Sequence, residues 1–254
     1  MRPLILVSND DGYNFPGIKV LIDVAKEFGD VIVVAPQLHQ SAKASSLTIS
    51  EPLRAIKKHE EPGLTVYTVN GTPADCAKLG LGVLVGDRKV DLVLSGVNHG
   101  HNMGNSVIYS GTIGVVLEGV MTGIKSVAFS YNDYRFDCDF SSCVPFIRRV
   151  IDKVLKNPLP KDVCLNVNIP KVDDTIKGIK VTTTSLGVWT NTWDHRTDPR
   201  GADYYWMLGE YEERDPDDAH TDMYWNRRGY VTVTPIHIDQ TDFEAMAFLA
   251  NLLE

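Results

Sequence analysis

Short apolar runs alternate with amphipathic stretches over residues 1 to about 130 of this 254-residue chain. Runs of this length that are rich in Val, Ile and Leu are typical of strands covered on both faces, and amphipathic stretches between them are typical of the covering helices. We predict strands at the following runs: Leu4–Val7, Val31–Ala35, Val66–Val69, Leu92–Leu94 and Ser126–Phe129. The alternation predicts an α/β fold, with a mostly parallel sheet and helices on both faces.

The helices between these strands carry recognisable start signals. Pro16 can begin the first helix, and Thr72 followed by Pro73 reads as the N-cap and first position of the second. A third helix is predicted in SGTIGVVLEGVMTG, which starts at Ser110, and a fourth over about residues 142–156.

The composition and the periodicity of apolar residues change after about residue 160. VCLNVNIP and IKVTTTSL read as strands, whereas residues 185–228 hold all four tryptophans and lack a regular period. We predict that this stretch is an arm or extended hairpin whose aromatic side chains pack on another surface. The chain ends in a predicted strand, GYVTVTPIHI, and a helix from Thr241 whose TDFE reads as a capping box. We therefore divide the chain into a core, residues 1–180, and a C-terminal part, residues 181–254.

Composition excludes several classes of partner. The formal net charge of −8 argues against duplex nucleic acid or an anionic membrane surface as the main partner. No apolar run is long enough for a signal-peptide core or a membrane span, so we expect a cytoplasmic protein. The four cysteines form no CxxC pair, which favours reduced, buried thiols over a zinc site or redox motif.

Two adjacent carboxylates follow the first predicted strand. Asp10 and Asp11 repel each other, and burying either is costly unless a cation or several donors compensate. Neighbouring side chains of a strand face opposite sides, so two aspartates can face one point only where the strand has ended. A hard divalent ion such as Mg²⁺ or Mn²⁺ would stabilise both charges. The alternative is a simple turn, because NDDG is also good turn chemistry.

Oxygen-bearing side chains also follow two other predicted strands. The loop at residues 41–46 contains three serines, and Ser95 and Asn98 follow the Leu92 strand. Because ligands of parallel sheets bind beyond the carboxyl ends of the strands, we predict one metal site at this edge. It would use Asp10, Asp11, the Asn98 amide oxygen and one of the serine hydroxyls, with water completing the shell.

The start of the third helix predicts an anion site. Ser110, Gly111 and Thr112 lie where free N–H groups and the helix dipole favour negative charge. A plain N-cap is the alternative. A metal ion and the N–H groups of a helix N-terminus that face each other can bind the same phosphoryl group from two sides.

Three histidines lie at or after the ends of predicted strands but are not predicted to be metal ligands or catalytic residues. His99 and His101 lie beside Asn98, but no third nitrogen ligand for zinc is evident, so we expect loop residues that contact substrate. His237 is expected to be a packed histidine at a strand end rather than a general acid.

A set of motifs occurs in order over essentially the whole chain: SNDDG (8–12), PGI (16–18), VVAP (33–36), QSAKASSLT (40–48), GTPADC (71–76), DLVLSGVNHGHNMG (91–104), IYSGTIGVVLEG (108–119), LNVNIP (165–170), DPRG (198–201) and GYVTVTPIH (229–237). With these motifs the chain resembles the SurE family of survival proteins, metal-dependent phosphatases that act on nucleoside monophosphates. It departs from the family pattern at Gln40, Ala42, Lys43, His99 and His101, which bears on substrate preference.

The resemblance implies a Rossmann-like core, a metal and phosphate site, and an assembly of subunits. Asp10, Asp11, Ser41 and Asn98 would hold one divalent ion per subunit, Mg²⁺ or Mn²⁺. The implied phosphate- and substrate-binding residues are Asn9, Asn98, Asn102, Ser110, Gly111 and Thr112. The C-terminal part, residues 181–254, would serve in oligomerisation, with its arm exchanged between the subunits of a homodimer or of a tetramer.

The predicted activity is hydrolysis of a nucleoside monophosphate to nucleoside and inorganic phosphate, as in a 5′-nucleotidase. Asp10 and Asp11 are the predicted catalytic residues, with Asp10 orienting or deprotonating the attacking water. Two alternatives are a non-catalytic nucleotide- or metal-binding protein on the same fold, and a structural oligomer whose acidic pair only caps a turn.

Overall fold

The computed structural model describes residues 2–135, 137–172, 175–190 and 192–253. Its strands are β1 Leu4–Ser8, β2 Asp30–Pro36, β3 Ala55–Glu61, β4 Leu64–Val69, β5 Leu92–His99, β6 Lys125–Tyr131, β7 Val163–Ile169, β8 Ile179–Val181, β9 Gly187–Trp189, β10 Thr192–Thr197, β11 Asp203–Leu208, β12 Tyr211–Glu213 and β13 Val231–His237. Its α-helices are α1 Pro16–Lys26, α2 Pro73–Leu79, α3 Gly111–Met121, α4 Val144–Lys156, α5 Asp222–Asn226 and α6 Phe243–Leu253.

Nine of these strands form one sheet in the order β3-β4-β2-β1-β5-β6-β7-β13-β8. The strands from β4 to β7 run parallel, while β3 and β13 pair antiparallel with their neighbours β4 and β7. From β1 the chain first builds the sheet towards β2 and β4, and then returns to add β5 on the other side. The order of the strands therefore reverses between β1 and β5, and such a switch point is where open α/β sheets bind ligands.

Helices cover both faces of the sheet. On one face α1 packs beside α4, and their apolar sides meet the buried side chains of the central strands. On the other face α2 packs beside α3 over a second apolar cluster. The predicted α/β class with a mostly parallel sheet is thus confirmed.

Two parts of the sheet differ from the prediction. The Leu92 strand does not end at Leu94 but continues to His99, with an irregularity in its pairing between Ser95 and Asn98. Runs of small polar residues are poor strand signals, which is why this extension was missed. The edge strand β3 was also missed, because its sequence AIKKHEE is exposed at every position and carries no apolar run.

The predicted helix starts are largely confirmed. Thr72 caps α2 in a reciprocal capping box with Asp75, with Pro73 at the first position. Ser110 caps α3, whose Ile113 N–H donates to its hydroxyl. The capping box at Thr241 is wrong, since Asp242 caps α6 and accepts the N–H groups of the two residues after Phe243.

The C-terminal part leaves the sheet and returns to it. Strands β10 and β11 pair antiparallel as an extended hairpin, as predicted for this stretch, and β9 pairs with β12 at its base. The chain then re-enters the sheet as β13. His237, at the end of β13, is exposed rather than packed, and its Nδ1 accepts the Asp239 N–H at 2.9 Å. The division at residue 180 stays a prediction.

Across the described residues, none of the helices is both long and apolar enough to cross a bilayer.

Candidate active site

The turn that follows β1 places two carboxylates side by side at the switch point. The Asn9 amide nitrogen donates to the Gly12 carbonyl at 3.0 Å, and the Gly12 N–H donates back to the Asn9 amide oxygen at 3.1 Å. Gly12 adopts φ 110°, a conformation that favours glycine. The turn interpretation of NDDG is therefore correct for Asn9 and Gly12, and the turn leaves Asp10 and Asp11 almost fully buried, at 5% and 3% exposed.

Asp10 lies against the N-terminus of α3. The Thr112 hydroxyl donates to Asp10 Oδ1 at 2.6 Å, within a buried environment. A Cβ atom added to Gly111 would lie 2.9 Å from Asp10 Cβ and 3.2 Å from Asp10 Oδ2. Only a residue without a side chain lets the first turn of the helix approach the carboxylate this closely.

Asp11 is held by two histidines from different segments. Asp11 Oδ1 lies 3.4 Å from His39 Nδ1, and Asp11 Oδ2 lies 3.3 Å from both the backbone N and the Nδ1 of His99. The other ring nitrogen of His39 lies 2.5 Å from Ser41 Oγ. The Phe15 ring lies 5.8 Å from both imidazoles, stacked on His39 and edge-on to His99. The serine loop, the switch-point turn and the end of β5 are thereby joined through Asp11.

Asn98 enters the site from the end of β5. Its amide nitrogen donates to the carbonyls of His99 and Gly100, at 3.1 and 3.0 Å. These bonds fix the carboxamide, and its oxygen accepts no hydrogen bond from the part of the chain that the structure describes.

The electrostatics of the pair are unfavourable for a bare dianion. Burial, and then the charge of Asp11, raise the pKa of Asp10 to about 6, although the Thr112 hydroxyl acts in the opposite direction. A buried carboxylate beside a second one requires a cation or a proton to be stable.

The first turn of α3 supplies donors next to this pair. N–H groups at the start of a helix have no intrahelical acceptor, and they carry the positive end of the helix dipole. Ser110 uses its own hydroxyl to cap Ile113 N at 3.2 Å. Both interpretations of this segment, N-cap and anion site, are therefore compatible in one geometry, since the cap leaves the N–H groups of Gly111 and Thr112 to a ligand.

Asn102 lies apart from the carboxylates in a buried polar network. Its N–H donates to Asn168 Oδ1 at 2.8 Å, its side-chain nitrogen donates to Ser130 at 2.8 Å, and its carbonyl accepts from Asn166 at 2.7 Å. The network holds the segment between β5 and α3, to which Asn102 belongs. The proposed phosphate contacts of Asn9 and Asn102 stay predictions.

Two residues of this arrangement were not predicted to bind Asp11. From the sequence alone, His39 is assigned no role and His99 is placed in a loop. His99 is instead the last residue of β5, and its side chain contacts Asp11. The only available signal was the position of each histidine shortly after a strand, at the edge where Asp11 lies.

The donor set is one that suits a hard cation. In the described part of the chain, no three His, Cys, Asp or Glu side chains form a metal-binding group. A metal here would therefore depend on hydroxyl and amide oxygens beside the two carboxylates, and such all-oxygen sets select Mg²⁺ or Mn²⁺ over zinc. The buried, mutually repelling aspartates and the Asn98 oxygen without a donor fit such an ion.

The fold and this geometry define a class of protein: a Rossmann-like α/β protein with an acidic, anion-accepting site at the switch point of its sheet. More particularly, the chain belongs to the family of survival protein SurE, whose family model matches residues 5–191.

Relatives match over nearly the full length. The chain is 42% identical to a protein of Phocaeicola vulgatus named 5′-nucleotidase SurE, covering 98% of this chain and 96% of the relative. It is 41% identical to the protein of the same name from Caldanaerobacter subterraneus, covering 97% and 96%. The crystal structure of the SurE protein from Aquifex aeolicus superposes with a TM-score of 0.83 at 38% identity, covering 99% of this chain and 100% of that one. The predicted family and the predicted nucleotidase activity are confirmed by these comparisons.

Proposed function

We propose that this protein is a divalent-metal-dependent 5′-nucleotidase that hydrolyses nucleoside monophosphates at the β1/β5 switch point. One observation carries the proposal: two adjacent, buried carboxylates lie against the first turn of a helix, with Thr112 bonded to Asp10 at 2.6 Å. An acidic centre that faces a helix N-terminus suits a phosphate group bridged between a cation and backbone N–H donors.

The proposed metal ligands are Asp10, Asp11, Ser41 and Asn98. Support comes from two observations. His39 links Asp11 to Ser41, and Asn98 carries a fixed carboxamide whose oxygen accepts no hydrogen bond from the described residues. When bound, a Mg²⁺ or Mn²⁺ ion supplies Lewis acidity towards the phosphate and lowers the pKa of a water molecule. One ion per subunit matches this single donor set.

Asp10 is the proposed catalytic base. Its Oδ1 is held by Thr112, which leaves Oδ2 to orient the attacking water and to receive its proton. The oxygen of that water would bond to phosphorus as the ester P–O bond breaks. The leaving oxygen would take a proton from solvent to become the nucleoside hydroxyl, and Asp10 would release its own proton to return to the carboxylate.

The segment from Ser110 to Thr112 is the proposed phosphate site. Its first-turn N–H groups would stabilise the negative charge that spreads over the equatorial oxygens in the transition state. Asp11 would act as a ligand whose orientation is set by His39 and His99.

Two further parts of the proposal concern the setting of the enzyme. A homodimer, or a tetramer built from two such dimers, is supported by the exposed apolar side chains of the hairpin and of α6. A cytoplasmic location is supported by four cysteines that are buried and unpaired.

A phosphate-release assay tests the activity. AMP, GMP and an aryl phosphate are supplied with Mg²⁺, with Mn²⁺ or with a chelator, and the Asp10→Asn variant is the control. We expect release that requires the metal and exceeds that of the variant. Binding of AMP without metal-dependent release would instead identify a nucleotide-binding protein that is not an enzyme.

A further inference from the structure

We infer that Tyr134 and His101 form the subsite that recognises the nucleobase of the substrate. Tyr134 follows β6, and His101 lies just beyond the end of β5. The inference rests on the proposed function, because it places the base of a nucleoside monophosphate whose phosphate occupies the site described above.

Tyr134 is an exposed aromatic ring next to a site residue. Its side chain is 66% exposed, although it is large and partly apolar. The ring lies over Gly100, because a Cβ atom added there would lie 2.2 Å from Tyr134 Cε1. The Gly100 carbonyl in turn accepts the Asn98 amide at 3.0 Å. Gly100 follows the end of β5 and has φ 86°, so the chain turns there and the Tyr134 ring lies against a residue that is hydrogen-bonded directly to the side chain of the proposed metal ligand Asn98.

The segment that carries Tyr134 is held rigidly. The Asp133 carboxylate is buried and ion-paired with Arg135 at 2.7 Å and with Lys171 at 3.3 Å. The Asp133 carbonyl accepts the Gly100 N–H at 3.1 Å. A binding surface whose backbone is fixed beforehand loses little entropy when a ligand stacks on it.

His101 adds a directional donor beside the ring. Its imidazole meets Tyr134 edge to face, with ring centroids 6.0 Å apart and an interplanar angle of 81°. His101 Nδ1 accepts the Met103 N–H at 3.3 Å, so the proton of the neutral imidazole is on Nε2. Burial also lowers the pKa of His101 to about 4, which keeps the ring neutral near pH 7. An aromatic face beside a single N–H donor is complementary to a flat heterocycle with ring-nitrogen or carbonyl acceptors, which is the chemistry of a nucleobase.

Tyr109 is the other exposed tyrosine near this edge, and it lacks these features. It is 54% exposed and precedes the α3 cap, but its ring makes no aromatic contact within the described residues. It therefore serves as the matched control.

The test compares two substrates that differ only in the base. Steady-state kinetics are measured on AMP and on ribose 5-phosphate with Mn²⁺, for the wild type and for Tyr134→Ala, Tyr134→Phe and Tyr109→Ala. Stacking on an aromatic side chain predicts that Tyr134→Ala lowers the ratio of kcat/KM on AMP to kcat/KM on ribose 5-phosphate about tenfold. Tyr134→Phe, which keeps the ring, and Tyr109→Ala are expected to keep the wild-type ratio within about twofold. A Tyr134→Ala ratio equal to that of the wild type, or an equal loss in Tyr109→Ala, would overturn the inference.

Binding of adenosine separates this inference from the proposed function. Calorimetry with adenosine requires no turnover, and we expect its affinity to fall about tenfold in Tyr134→Ala and to be retained in Tyr134→Phe. If the wild type binds adenosine in this Tyr134-dependent way but releases no phosphate, the proposed activity fails while the subsite stands. If phosphate is released and Tyr134→Ala binds adenosine as tightly as the wild type, the subsite is wrong and the activity stands.

Discussion

At the scale of single residues, Asp10 combines a functional position with an energetic cost. Burial and the neighbouring Asp11 raise its pKa to about 6, so the metal-free native state takes up a proton more readily than the unfolded state does. The wild type without metal therefore loses stability as the pH rises from about 4 to about 6, and this loss persists at neutral pH. An active-site carboxylate of this kind trades stability for function.

Asp10→Asn is expected to remove this cost together with the activity. The amide stays neutral and its oxygen still accepts the Thr112 hydroxyl, so the free energy of unfolding without metal at pH 7 should rise by about 2–3 kcal/mol. Urea denaturation with chelator measures the gain, which should shrink as the pH falls and vanish below about pH 3, where the wild-type carboxyl is protonated in both states.

Phosphate release by Asp10→Asn should fall at least about 1,000-fold. Asp23→Asn, at an exposed position of α1, is the control and should change neither quantity. An unchanged or lowered stability of Asp10→Asn would contradict this account of the site.

Thr112→Val tests the hydrogen bond that orients Asp10. The substitution keeps the volume of the side chain but removes the donor that lies 2.6 Å from Asp10 Oδ1. A hydrogen bond to a charged group is worth about 1.5–3 kcal/mol, which corresponds to a loss in kcat/KM of about 10- to 100-fold. Thr122→Val, at the other end of the same helix, removes a hydroxyl that donates only to helix carbonyls and should retain the wild-type kcat/KM. Equal kinetics for the two variants would show that the Thr112 hydroxyl has no role in orienting the base.

At the scale of elements, the position of α3 decides whether donors and carboxylates meet. The helix begins with Gly111, whose missing side chain lets it approach both Asp10 and the Pro73 ring of α2. The close approach between the N-terminus of α3 and the Asp10 carboxylate thus depends on the glycine at position 111.

Gly111→Ala is expected to move the helix away from the carboxylate. The new Cβ would lie 2.9 Å from Asp10 Cβ and 2.9 Å from Pro73 Cγ, closer than such atoms pack, so the backbone must shift. A misplacement of this order in an active site costs about 100-fold in rate. We expect that loss in kcat/KM on AMP, with the protein still folded by circular dichroism. Gly82→Ala is the matched control, because an added Cβ there meets nothing within 4 Å. Full activity of Gly111→Ala would refute the proposed contact between helix and carboxylate.

The elements also show what the sequence can and cannot predict. The buried strands and the starts of α2 and α3 were predicted because Val and Ile runs, Thr72–Pro73 and Ser110 act locally. The extension of β5 was missed because its residues owe their extended conformation to pairing with β6. The capping assignment failed at α6 because Thr241 and Asp242 are both good caps, and only the geometry selects Asp242.

In the candidate site, too, features set by local sequence were predicted and features set by long-range contacts were not. Asp10 and Asp11 were predicted as site residues because their adjacency is visible in the chain, and Asn98 was predicted with them because it follows a strand that ends at the same edge of the sheet. The contacts of His39 and His99 with Asp11 join residues 28 and 88 positions apart, and no local pattern predicts such a pairing. Long-range contacts of this kind are set by the packing of the whole sheet.

At the scale of the whole molecule, apolar surface is concentrated in the C-terminal part. Every residue of β11 is exposed, and α6 has no buried residue. Large side chains are among those left in water: Trp193, Tyr205, Trp206, Met207, Leu208, Phe243, Met246, Phe248, Leu249, Leu252 and Leu253. An isolated helix of 11 residues is only marginally stable in water, so α6 needs a surface on which to pack. The proposed second copy of the chain would supply it.

Charge placed on the apolar side chains of α6 is expected to dissociate the proposed homodimer. Phe248 and Leu249 are 66% and 46% exposed, and burying a glutamate at either position against a second chain would cost several kcal/mol. Sedimentation velocity should therefore find the wild type as a dimer or tetramer and the Phe248→Glu, Leu249→Glu double variant as a smaller species, about the mass of one chain. Asn251→Glu adds charge to an exposed polar position of the same helix and should keep the wild-type mass.

Because α6 contributes none of the proposed catalytic residues, AMP hydrolysis by the dissociated variant measures how far the site depends on assembly. A wild type that sediments as a monomer would remove the homodimer from the proposal and leave the apolar surface of α6 to another partner.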